Sequence, residues 1–171
     1  MSLAQSLLPE FDLETSTTRK TRKLLERVPA DRVDFRPHPK SFALGPLSLH
    51  IVNLLNWFKL TVVLDELDLH PPGGQPFKSP PYESPEATLR KFDEEVVSAR
   101  EILVGMADEA LARTWTLKYQ GATVFALPRS AALRTFVFNH QVHHRGQLSV
   151  YLRMCDVPLP EMYGPTADSQ G

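Results

Sequence analysis

Apolar side chains recur every three or four positions through most of this chain, the spacing of helices that each turn one face toward a core. Leu8, Phe11, Thr15, Thr18, Arg22, Leu25 and Val28 trace a first helix, with Pro9 close to its start and Pro29 at its end. Its middle is rich in hydroxyls. After a loop holding Pro37 and Pro39, Ser41 is placed to cap a second helix whose stripe runs through Leu47, His50, Leu54, Trp57, Thr61 and Leu64. Proline and glycine then crowd the stretch from His70 to Pro81, which shows no period and reads as a long surface crossover able to cover a site. Ser84-Pro85-Glu86 combines an N-cap, a first-turn proline and a dipole-matched acid, and Leu89, Phe92, Val96, Ala99, Leu103 and Met106 continue a third helix.

Between Thr114 and Pro128 the pattern changes to alternation. Trp115, Leu117 and Tyr119, the turn Gln120-Gly121-Ala122, then Val124 and Phe125 predict a short hairpin. A fourth helix opens near Ser130 and stops around Cys155-Asp156, ahead of Pro158 and Pro160, with Leu133, Val137, His140, His144, Gln147 and Tyr151 in phase. The tail beyond Pro160 reads as coil that packs back through Met162 and Tyr163. The expectation is an all-α four-helix bundle with a long crossover loop and a small β-hairpin before the last helix, in a single domain over residues 1–171.

Composition narrows the function. A 171-residue chain with 42% hydrophobic residues suits one globular domain, and 19 basic against 20 acidic side chains leave a net charge of -1. No global field recruits nucleic acid or an anionic membrane, so a small molecule is the expected partner. The one cysteine, Cys155, has no internal disulfide partner, and the first residues lack a basic segment followed by an apolar run, which points to the cytoplasm. The most apolar stretch, from Leu44 to Leu64, is broken by Pro46, His50, Asn53, Asn56 and Lys59, so no membrane span is expected.

The chemistry lies in the polar residues that interrupt the stripes. His140 and His144 are four residues apart, which stacks their imidazoles on one helix face about 5–6 Å apart. Both replace apolar residues at positions that point into the bundle, and His50 does the same on the second helix. A buried imidazole without a partner costs on the order of 1–3 kcal/mol, so each must be satisfied by hydrogen bonds or by a metal. Taken singly, an ordinary core or surface histidine accounts for each of them. Taken together and in phase, the metal reading stands ahead, with three neutral imidazoles leaving room for water or substrate on the ion. His143 is a competing ligand or a supporting group. Gln147, three residues after His144, is placed to hydrogen-bond a ligand, and Asn53, one turn after His50, to orient that ring or a bound water. Arg145 lies off the stripe and reads as a solvated arginine, the alternative being a partner carboxylate at an interface.

Several familiar patterns are absent. No glutamate follows the histidines as in a His-Glu-x-x-His protease, and no Asp or Glu occurs between Arg129 and Cys155, which excludes a di-iron bundle. Imidazole ligands suit zinc, nickel, copper and iron alike.

His50, the run His140-x-x-x-His144-Arg145-Gly146-Gln147, Phe35-Arg36-Pro37 and the ending from Val157 to Pro165 together resemble the DinB-like metalloprotein family, which includes the YfiT-type proteins. The resemblance covers nearly the whole chain, and its most specific part is the His-Arg-Gly-Gln run. It implies a four-helix bundle, commonly a homodimer, with a divalent metal, often nickel or zinc, on His50, His140 and His144. Relatives in the wider superfamily use such an ion to activate a low-molecular-weight thiol toward an electrophile. Two functions follow as expectations: a metal-dependent enzyme activating a thiol or water nucleophile, or a metal-stabilised dimeric bundle with a stress-related or binding role and no turnover.

Overall fold

The computed structural model describes residues 2–15 and 20–170. Helix α1 spans Leu3–Thr15 and α2 Lys20–Leu25. The first predicted helix is thus two elements, and Thr18 lies outside the described residues. Because α1 begins at Leu3, Pro9 sits inside it rather than at its start. Leu7, Phe11, Thr21, Leu24 and Leu25 carry its buried face. Arg22 turns outward to Asp93 and Glu26.

Helix α3, Leu44–Val63, runs through the centre of the molecule and is buried on most sides. It does not start from Ser41. Ala43 is the N-cap and offers no side chain, and the first free amides are taken up by backbone instead: Leu44 donates to the Phe35 carbonyl at 2.9 Å and Gly45 to that of Val33 at 2.8 Å. A loop carbonyl does here what a hydroxyl would do elsewhere. Helix α4, Pro85–Gly105, begins as the sequence predicts, with the Ala87 amide donating to Ser84 Oγ at 3.1 Å.

The fold is mostly helical but not all-α. Strand β1, Glu66–Asp68, follows α3 and pairs in parallel with β2, Thr114–Tyr119, which pairs antiparallel with β3, Ala122–Pro128. The predicted hairpin is therefore part of a three-stranded sheet. Its turn places Gln120 and Gly121 at φ 52° and 80°, the left-handed pair that suits the twist of adjacent strands. A three-residue strand with one apolar side chain, Leu67, shows no period from which it could be read. Between α4 and β2 a short helix, α5, spans Asp108–Ala112.

The last helical rod is continuous but irregular, with α6 at Arg129–Ala132, a π-helical stretch at Leu133–Phe138 and α7 at Asn139–Met154. Arg129 anchors its start. Buried beneath the sheet, it donates to the carbonyls of Thr61 and Leu64, both at 3.0 Å, and to Asp65 at 2.7 Å, closing the C-terminal end of α3. The uninterrupted four-rod bundle is thus modified in its first and last rods and supplemented by a sheet. One core runs between α1, α2, α3, α4 and α7, and a smaller one, around Trp115, Leu117 and Ala132, joins the sheet to the last rod.

Candidate metal centre

α3 and α7 pack side by side, and their inward stripes bring His50, His140 and His144 together. One ring nitrogen of each lies within 4.8 Å of the others, and the cluster contains no carboxylate or thiol among the described residues. His144 is buried; His50 and His140 are half-buried. The ring centroids of His140 and His144 stand 4.6 Å apart, and that of His50 lies 4.5 Å from His144 and 5.4 Å from His140.

The tautomer of His144 follows from its neighbours. Its Nδ1 lies 2.7 Å from Gln147 Oε1, an acceptor, so Nδ1 carries the proton and Nε2 a lone pair. That Nε2 faces His140 Nε2 at 2.8 Å. The ring of His50 makes no hydrogen bond among the described residues. Burial, together with the two neighbouring rings, pushes His50 down to about 4, and burial lowers His140 and His144 as well. The carbonyl of Phe136 opposes the shift at His140, and the Gln147 amide opposes it at His144. All three rings are therefore neutral at pH 7, the form in which imidazole binds a metal.

Aromatic rings enclose the cluster. Phe42 stacks on His50 at 5.3 Å and meets His144 edge-on at 6.3 Å. On the other side Phe136, in the π turn, lies 5.7 Å from His140 and 5.2 Å from Trp57, which is half-buried and touches Phe77 of the crossover loop. Trp57 thus belongs both to the core and to the wall behind His140. The crossover loop also reaches the front: Pro80 and Tyr82, with Phe42, Pro46 and Asn53, bound a cleft of about 240 Å³ that opens on His50.

The remaining sequence candidates fall in different places. Gln147 touches His144 directly. Asn53 is buried, but its partner is Lys91, whose Nζ donates to Asn53 Oδ1 at 3.0 Å, rather than the His50 ring. His143 is exposed, outside the cluster, with its ring 4.9 Å from that of His144. His38 is exposed, and His70 stacks on Tyr119 at 5.9 Å; neither belongs to the cluster. Cys155 is a partly buried free thiol whose burial raises it above the ordinary value.

Arg145 departs most from expectation. Its side chain is 2% exposed and pairs with Glu14 at 2.5 Å, donates to Thr21 Oγ1 at 3.1 Å and also bonds the Tyr163 hydroxyl. Its partners are the end of α1, the start of α2 and the tail, none of which its own helix reveals. Phe42, Lys91 and Phe136 were missed as site residues. Phe42 and Lys91 carry no periodic signal that separates them from loop and surface, and Phe136 reads as ordinary core.

A model of the DinB family matches residues 11–170. The uncharacterized protein YrdA of Bacillus subtilis is 23% identical over 151 residues, which are 86% of this chain and 82% of that protein. Two solved structures share the fold: the DinB-like protein YjoA of Bacillus subtilis, 19% identical, with a TM-score of 0.64 over 97% of this chain and 99% of that one, and a DinB-like protein from Bacillus cereus, 22% identical, with a TM-score of 0.64 over 94% and 95%. The chain belongs to the DinB family.

Proposed function

We propose that this DinB-family protein binds one divalent transition metal, nickel or zinc, through His50, His140 and His144, and that the site activates a thiol or water nucleophile toward a small molecule. The supporting observation is the convergence of three neutral imidazoles, from two helices, in a half-buried pocket without a carboxylate. Such a donor set suits a borderline-soft ion and leaves part of its coordination sphere for an exogenous ligand. A bound ion would supply Lewis acidity, lowering the pKa of a thiol or water that binds to it.

The protein's own residues do the rest. Gln147 fixes the His144 ring so that Nε2 stays unprotonated, and α3 and α7 hold the rings on rigid backbone. Phe42 and Phe136 exclude water from either side. With no acid in the cluster to serve as general base, a thiol, which ionises more readily than water, is the favoured nucleophile. A low-molecular-weight thiol co-substrate, a homodimer and a cytoplasmic location complete the proposal. No helix among the described residues is long and apolar enough to cross a membrane.

Elemental analysis of tag-free protein beside His144→Ala tests it. The expected result is about one transition ion per chain in the parent and none in the variant, with unchanged far-UV circular dichroism. No metal in the parent, even after incubation with zinc and nickel, would overturn the proposal.

A further inference from the structure

The cleft in front of His50 is lined by no Asp, Glu, Lys or Arg side chain. Its walls are Leu49 and the rings of Phe42, Pro46, Pro80 and Tyr82, and its polar side chains besides His50 are Asn53, Ser79 and Tyr82, whose hydroxyl is buried without a hydrogen-bond partner among the described residues. The nearest charged side chain, Lys91, lies behind the lining, where its ammonium bonds Asn53 Oδ1 at 3.0 Å. Its size, about 240 Å³, is below the usual range for drug-sized ligands.

Asn53 gives this apolar cleft a directional polar contact. Lys91 stands outside the cleft lining, and its ammonium can only donate, so the Asn53 oxygen must face it, at 3.0 Å. The amide cannot turn over without placing two donors against each other. Its nitrogen makes no hydrogen bond among the described residues and is left to donate to whatever occupies the cleft. Phe42, 48% exposed despite its size, offers a flat apolar surface at the mouth. Tyr82 closes the opposite side, packed so tightly on Gly45 that a Cβ there would come within 2.7 Å of its ring.

We propose that the electrophilic substrate is a small, largely apolar molecule carrying one carbonyl-type acceptor, held by the Asn53 amide and stacked on Phe42. This rests on the metal reading, because the cleft matters as the approach to His50.

The full-length protein is titrated with acetophenone and ethylbenzene while the Asn53 side-chain amide is followed by nitrogen-15 NMR, and metal content is measured on the same samples. Acetophenone is expected to shift the Asn53 signals and to bind roughly tenfold more tightly than ethylbenzene, the order expected for one directed hydrogen bond. Asn53→Asp, which cannot donate, should remove the preference over ethylbenzene. Lys91→Met, a change at a side chain outside the cleft, should reduce it by freeing the amide to rotate. Ethylbenzene binding as tightly as acetophenone, a preference that survives both variants, or no shift at Asn53 would each overturn the inference. Metal without probe binding sinks the substrate class and leaves the metal centre standing; probe binding without metal upholds the class and sinks the metal centre.

Discussion

α7 presents two buried polar groups side by side, His144 and Arg145, and the chain treats them in opposite ways. Arg145 is held by a carboxylate, a carbonyl, a threonine hydroxyl and a tyrosine hydroxyl drawn from three separate segments. The imidazoles of the cluster have little besides one another, a glutamine and a carbonyl one turn back, and His50 has no hydrogen-bond partner among the described residues. A buried polar group whose bonding capacity is filled from within serves the fold. Lone pairs that converge and stay unfilled are available to something from outside. The contrast separates structure from site within consecutive residues of one helix.

The most forceful way to break the comparison is Arg145→Met. It removes one member of a buried ion pair and leaves Glu14 with only Lys20 at 3.8 Å and the Tyr163 hydroxyl, and a loss of about 3 kcal/mol in unfolding free energy is expected by denaturant titration. A loss under 1 kcal/mol would show that the clamp does not hold the fold. Gln147→Ala should act in the other currency, weakening zinc affinity roughly ten- to hundredfold in a chelator competition while the fold survives, because the His144 ring loses its orienting acceptor. Equal affinity in that variant would reduce the glutamine to packing. The smallest effect belongs to His143→Ala. Exposed and outside the cluster, it should change unfolding free energy by no more than about 0.5 kcal/mol and leave metal stoichiometry intact. A lost ion would place His143 among the ligands.

Helical phase carried the sequence reading as far as the three histidines, since a stripe reports which side of a helix faces inward. It carried no further. Arg145 looked solvated because its partner Glu14 is 131 positions away. Asn53 shares the stripe with His50, yet its amide is claimed by Lys91 of α4, a side chain that a helical wheel leaves on the surface. Ser41 looked like a cap because the competing donors' partners were backbone carbonyls, which every residue has and no sequence advertises. Strand β1 is too short to repeat, and the π turn differs from α-helix only in which carbonyl each amide selects.

That pairing of α1 with α7 also dictates a schedule for the nascent chain. Glu14 and Thr21 leave the ribosome more than a hundred residues ahead of Arg145, His140 and His144. Contacts this distant in sequence close slowly and only after the intervening segments are in place. The clamp and the histidine cluster therefore mature in the same late step, and a chain truncated before α7 has neither.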